Sequence, residues 1–126
     1  MTYTPTLPEI IRRKRRFVLV HSILYYRLNE TVISDAKFDE VAHELAAYQQ
    51  TSPEFCMTVD FYPEEFKDFN GETGYHLPLL DPSCTCMAIW LLQQRNKELE
   101  KLKSQPEVPL AERIKALERS RDEVKL

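Results

Sequence analysis

From Leu7 onward the apolar positions recur at three- and four-residue intervals, with Ile10, Phe17 and Leu24 flanked by Ile11, Val18, Tyr25 and Leu28. That period lays a broad apolar face along one helix, predicted over residues 7–28. Thr6-Leu7-Pro8-Glu9 reads as a capping box, in which Thr6 accepts from the third helical amide and Pro8 fits the first turn. Residues 29–33 are rich in β-branched side chains and have no helical period. Ser34 then offers a hydroxyl cap, and Asp35 a carboxylate at the positive end of a second helix. Phe38, Val41, Ala42, Leu45 and Tyr48 fall on one stripe of that helix, so the two helices are expected to pack as a hairpin.

The pattern changes after Gln49–Pro53. Residues 53–80 hold Pro53, Pro63 and Pro78, both glycines of the chain, and the aromatics Phe55, Phe61, Tyr62, Phe66, Phe69 and Tyr75. This composition predicts an irregular segment, with a helical turn near Pro63–Phe66, folded over the hairpin so that its rings are buried. Asp81-Pro82 then opens a long helix, with a capping carboxylate ahead of a first-turn proline. Its first half is apolar on most sides, from Met87 to Leu92, whereas Gln93 to Lys103 keeps only Leu99 and Leu102. Residues 104–109 break the pattern. Leu110, Ile114, Leu117 and Val124 then predict a C-terminal helix that packs on Leu99 and Leu102 or on a second copy of the chain. The expected fold is therefore mainly α: an N-terminal helical hairpin, an aromatic-rich irregular segment, a long helix and a C-terminal helix. Residues 1–92 are expected to form the domain and residues 93–126 a charged arm that could dimerise.

Composition narrows the class without naming a function. The 126 residues suffice for one modest core. With 43% hydrophobic and 29% charged residues and a formal net charge of −3, nothing in bulk charge points to nucleic acid. The apolar runs Phe17–Val20 and Cys84–Leu92 are too short to span a bilayer. His21, Tyr25, Tyr26 and Arg27 interrupt the stretch that would have to serve as a leader's apolar core, and three cysteines form no even disulfide framework. A cytoplasmic location is the expectation.

Residues 21–45 read His-Ser-Ile-Leu-Tyr-Tyr-Arg-Leu-Asn-Glu-Thr-Val-Ile-Ser-Asp-Ala-Lys-Phe-Asp-Glu-Val-Ala-His-Glu-Leu, followed by Pro53-Glu54. This order resembles the N-terminal module of NAD-dependent DNA ligases, a helical hairpin with a Tyr-rich first helix and a Ser/Pro-Asp-Ala-Glu-Tyr-Asp motif opening the second. In that family the module captures the nicotinamide mononucleotide (NMN) half of NAD. The resemblance implies that Tyr25 and Phe38 stack on the nicotinamide ring. It also implies that Asp35 and Asp39 accept hydrogen bonds and that His21 and Tyr26 line the rim. Phe38 stands where the family has tyrosine, Lys37 where it has an acid, and the 29–33 loop lacks the family's proline. Glu65 to Tyr75 also resembles a segment of small ligase-related proteins encoded by bacteriophages, which implies a free-standing protein in the host cytoplasm.

Ligation needs a nucleophilic lysine in Lys-x-Asp-Gly, and Lys67-Asp68-Phe69-Asn70-Gly71 only imitates its composition. Gly71 and Gly74 cannot build a Walker loop or a dinucleotide fingerprint. No enzyme activity is expected, and no cofactor is required. Cys84-Thr85-Cys86 could offer two thiolates to a metal, with His76 or Cys56 completing the set, but structural zinc sites bring a second matching pair. The alternative is that these cysteines pack at the helix start, where the dipole could make one reactive. Arg12-Arg13-Lys14-Arg15-Arg16 is the sharpest charge feature. Its two readings are a solvated face with some side chains snorkelling, and a site for an anion or partner. That anion would be nucleic acid, the phosphate of a nucleotide held by the hairpin, or an acidic protein. Basic and aromatic residues are not interleaved there, so nucleic acid is not favoured. Two functions are therefore expected: a non-catalytic module that binds NMN or NAD, or a phage protein that reuses the scaffold to bind or inhibit a host protein.

Overall fold

The computed structural model describes residues 4–103 and 110–122. Among the described residues the chain is mainly helical and has no strand. The elements are α1 (Leu7–Arg27), α2 (Asp35–Thr51), α3 (Pro53–Met57), α4 (Pro63–Phe66), α5 (Pro82–Lys103) and α6 (Leu110–Asp122). α1 is the centre of the fold and packs against both α2 and α5. Its stretch from Phe17 to Leu24 is buried on every side, because two helices and the segment after α3 share its circumference. Ile11, Val18, Leu19, Ile23 and Leu24 meet Val41, Ala42 and Leu45 of α2 and Cys84 and Ala88 of α5 in one core.

The helix starts follow their cap chemistry unevenly. At α2 the Ser34 hydroxyl accepts from the Lys37 amide at 3.1 Å. At α5 Asp81 accepts from the Cys84 amide at 2.8 Å, and its own carbonyl closes the first turn to Thr85. At α1, however, Thr6 makes no side-chain cap bond, contrary to the capping box. Pro8 removes one donor of that turn, Thr6 is exposed, and the Thr6 carbonyl accepts from the Ile10 amide at 3.0 Å. Asn29 ends α1 with a left-handed φ of 53°, a conformation that asparagine tolerates, and the Glu30 amide returns to the Leu24 carbonyl.

The irregular segment folds over the hairpin as predicted, but not all of its rings are buried. Phe66 and Phe69 enter the core, where a phenylalanine contributes ~1.5–3 kcal/mol, and Phe61 and Tyr62 pack on its edge. Phe55 and Tyr75 stay exposed. The short helix α3 begins immediately after α2, where an end to helix was expected, because Ser52 breaks the backbone and Pro53 restarts it. α5 also departs from expectation. Only Cys84 and Ala88 are buried, and Met87, Ile89 and Trp90 remain exposed on a helix apolar around most of its first half. α6 packs back on α5, with Leu99 and Leu102 and with Ile114 and Leu117 half-buried. Val124 lies outside the described residues. No helix among the described residues is long and apolar enough to cross a membrane.

Candidate functional site

A cavity of about 260 Å³ opens where the second half of α1, the loop 31–34 and the start of α2 converge. Its lining includes His21, Tyr25 and Tyr26 from α1 and Asp35, Phe38 and Asp39 from α2. The helical period explains the grouping. Positions 21 and 25 lie one turn apart on α1, with Tyr26 at the edge of that face, and positions 35, 38 and 39 share one face of α2, so an antiparallel hairpin sets the two groups opposite each other.

The side chains differ in how firmly they are held. His21 is buried, with its ring centroid 4.4 Å from that of Phe17. Tyr25 is 58% exposed and Tyr26 39% exposed, and their rings meet edge to face at 4.9 Å. Asp35 and Asp39 are exposed, whereas Phe38 is half-buried against the core. The arrangement can stack a flat ring, accept hydrogen bonds on carboxylates and favour positive charge.

The resemblance did not supply the cavity's second wall. Glu72, Thr73 and Gly74 line it, together with Ser22 from the floor and Thr31, Val32 and Ile33 from the interhelical loop. Both glycines pin this wall. Gly71 has φ +87°, and a Cβ there would lie 3.0 Å from the His43 ring and 3.3 Å from the Ala42 carbonyl oxygen. At Gly74 a Cβ would fall 2.0 Å from Ser22 Oγ. A hydrogen bond of 2.7 Å joins the Tyr26 hydroxyl to Thr73 Oγ1, and Tyr75 packs edge-on against the Tyr26 ring. Arg95 of α5 holds the opposite wall, donating to the Thr31 carbonyl at 2.7 Å and pairing with Glu30 at 3.1 Å. The closely spaced pair Gly71 and Gly74 was the available sequence signal for a close backbone approach. The run Glu65 to Tyr75 otherwise carries no spacing that points to the hairpin.

The five consecutive cations do not form one surface. Arg15 is 1% exposed, and its guanidinium donates to the carbonyls of Cys56, Val59 and Phe61 and to Gln49 Oε1. Burial lowers its pKa from the usual arginine value. Arg15 is thus removed from any anion or partner site: its donors are spent on the backbone that follows α2. Lys14 pairs with Glu44 of α2 at 2.6 Å, Arg12 donates to the Asp60 carbonyl, and exposed Arg16 lies over the Phe61 ring. Arg13 is exposed and also has an interaction partner. None of the five lines the cavity.

The cysteines are likewise divided. Cys84 is buried and Cys86 exposed, as residues two apart on a helix must diverge, and Cys56 is buried elsewhere in the core. Among the described residues no group of three or more His, Cys, Asp or Glu side chains could hold a metal ion. The helix start does not activate Cys84. Burial, reinforced by Asp81, pushes its thiol up to about 12. Asp81 itself is held below the usual carboxylate value by the Tyr62 hydroxyl, which donates to it at 2.5 Å, and the Tyr62 hydroxyl is pushed up to about 12 in return. This cluster joins α4 to α5 on a part of the molecule that does not line the cavity.

Comparison with protein-family models, curated proteins and solved structures finds no match.

Proposed function

We propose that the chain is a non-catalytic, ligase-related module that binds a nicotinamide nucleotide, NMN or NAD, in the α1–α2 cavity. The observation that carries the reading is the convergence of His21, Tyr25, Tyr26, Asp35, Phe38 and Asp39 on one cavity. These residues come from two helices, and they are the ones that the likeness to the ligase module assigns to NMN. Tyr25 and Phe38 offer faces to the ring, and Asp35 and Asp39 offer acceptors to amide and ribose groups. The substitution of Phe38 for tyrosine leaves stacking intact and removes one hydroxyl. Catalysis is not part of the proposal, because no lysine stands in Lys-x-Asp-Gly.

Calorimetric titration with NMN and NAD tests the reading. Saturable binding that is weakened by Tyr25→Ala and by Asp35→Ala is the expected result. No heat and no thermal shift with either compound at millimolar concentration would reject it.

A second reading, a phage-encoded interaction module acting on a host protein, is favoured by one observation: Met87, Ile89 and Trp90 expose apolar surface on α5. The working surface in that case includes this face of α5, and Arg15, being buried, is not part of it. A partner that copurifies with the intact chain and is lost on Trp90→Ser, but not on Asp35→Ala, is the expected sign of this reading.

A further inference from the structure

From Pro82 to Gln94 the sequence of α5 contains no charged residue. Pro82, Cys86 and Trp90 follow one another at four-residue spacing with Ile89 beside them, so they share one face of the helix, and all four are exposed. Trp90 stands out from that face, 54% exposed. At the other end of the row Pro82 borders an open groove of about 660 Å³, lined also by Tyr62, Tyr75, Pro78, Leu80 and Asp81. Leu80 is 79% exposed. One face thus carries a protruding indole and an apolar groove, ~12 Å apart along the helix axis. Tryptophan, tyrosine and methionine in a patch without charge are the composition of the centre of an interface.

A face that holds both the knob and the hole is complementary to itself. A two-fold axis at Cys86 sets two copies of α5 antiparallel and brings position 90 of each chain opposite position 82 of the other, so that both indoles meet grooves at once. Such an isologous contact closes as a dimer. Charge selects the same arrangement. The uncharged stretch is preceded by Asp81, and exposed Lys97 lies two turns beyond Trp90 on the same face. Antiparallel pairing carries Lys97 of each copy toward the end of the other that bears Asp81. Parallel pairing would oppose like charges, set Trp90 against Trp90 and leave both grooves empty.

We infer that α5 is the seam of a homodimer, in which two copies pack antiparallel through Cys86 and Ile89 and Trp90 of each is seated in the groove between Tyr75 and Pro82 of the other. The inference is independent of the nicotinamide reading. It places the contact on the first half of α5 rather than on the charged arm from residue 93 onward, and it gives the exposed face an occupant other than a host protein.

Sedimentation equilibrium tests this on the intact chain. The mass is expected to rise from 14.9 kDa toward twice that value as concentration increases through the micromolar range. Trp90→Ser and Leu80→Glu, at opposite ends of the contact, should each return the chain to a monomer with helicity and melting temperature kept, since both side chains are exposed. Lys97→Glu should weaken association several-fold. A short bifunctional maleimide should join two wild-type chains through Cys86, but not two chains of Cys86→Ser or of Trp90→Ser. Cys86 is open to reagents in the dilute monomer, and its reaction with a disulfide should slow several-fold as the dimer forms. A mass of 14.9 kDa up to millimolar concentration, or a dimer that survives both Trp90→Ser and Leu80→Glu, would overturn the inference. A dimer that the maleimide cannot join would also overturn it, because the axis would then lie away from Cys86. A chain that stays monomeric and captures a host protein through Trp90 would overturn it in favour of the second reading above.

Discussion

Arg15 and Gln49 bind each other side chain to side chain in the core, one from α1 and one from α2, and both reach into the segment that follows. Arg15 takes the carbonyls of Cys56, Val59 and Phe61, and the Gln49 amide nitrogen donates to the carbonyl of Phe66. Two polar side chains thus hold α3, α4 and the chain between them onto the hairpin. The carbonyls of Cys56, Val59 and Phe66 also accept backbone amides of their own turns, so these side chains add second bonds that anchor the turns to the hairpin.

The first prediction follows from that network. Arg15→Met leaves Gln49 Oε1 and the Phe61 carbonyl without this donor, at ~1–3 kcal/mol each, and removes the second bond to the Cys56 and Val59 carbonyls, partly offset by the desolvation no longer required of the guanidinium. A loss of about 3 kcal/mol is expected in urea unfolding. Arg16→Met, three bonds of backbone away, should cost no more than ~1 kcal/mol, since its ring contact lies at the surface. Equal costs at the two positions would show that Arg15 is not the structural member of the run.

The difference between these two arginines also marks what the sequence could reveal. Periodicity read out the hairpin, the helix starts at Ser34 and Asp81 and the long α5, because caps and apolar stripes are local signals. A run of five cations has no apolar phase of its own, so it could not tell which member points inward. That choice is made by carbonyls more than forty residues away, at Cys56, Val59 and Phe61. The cavity was half legible for the same reason. The faces of α1 and α2 follow from helical spacing, whereas the wall at Glu72 to Gly74 depends on non-local packing of Gly74 on Ser22.

That packing gives the second prediction. Gly74→Ala would place a Cβ 2.0 Å from Ser22 Oγ and 2.9 Å from Ser22 Cβ, so one of the two backbones must move. Overpacking of this kind costs ~1–3 kcal/mol. Ser22→Ala in the same chain should recover much of the loss, because it removes the 2.0 Å contact and leaves only the 2.9 Å contact to Cβ, whereas Ser22→Gly relieves both but adds ~0.5–1 kcal/mol for a glycine inside a helix. A double-mutant cycle by thermal unfolding checks the coupling.

The Tyr62–Asp81 bond makes stability depend on pH at both extremes. Asp81 has a lowered pKa, so its contribution is complete above the unfolded value of ~3.9 and is lost as pH falls through the folded value. The Tyr62 hydroxyl is raised to about 12, so the folded state keeps a proton that the unfolded chain gives up near ~10. Its contribution is therefore present below pH ~10 and declines as pH rises toward the folded value. Tyr62→Phe should flatten both limbs. Because Cys84 is also raised to about 12 and would add to the alkaline limb, the comparison belongs in a Cys84→Ala background.

Thiol chemistry should separate the three cysteines. Burial raises the pKa of both Cys56 and Cys84, and neither presents its sulfur to solvent, whereas Cys86 is exposed. A thiol needs both access and its anionic form to attack a disulfide reagent. Titration with an aromatic disulfide at pH 8 should therefore give one fast equivalent, abolished by Cys86→Ser. The other two equivalents should appear only on unfolding.

The last prediction concerns a residue that lines no part of the cavity. Arg95 donates to the Thr31 carbonyl and pairs with Glu30, so it ties α5 to the loop whose residues 31–34 form one wall. Its ion pair is partly exposed and contributes little by itself, ~0.2–1 kcal/mol, so Arg95→Met should change global stability only slightly. The carbonyl bond is different, because it fixes the position of a wall that has no regular structure of its own. Arg95→Met should accelerate hydrogen exchange at the amides of Val32 and Ile33 and weaken NMN binding about fivefold, with the α1 and α2 core amides unaffected. Arg95→Lys retains the charge opposite Glu30 but loses the fork that reaches two acceptors at once, so partial recovery is expected. Full recovery by lysine would show that charge alone holds the wall, and an unchanged affinity in Arg95→Met would show that the loop is set by α1 and α2 without α5.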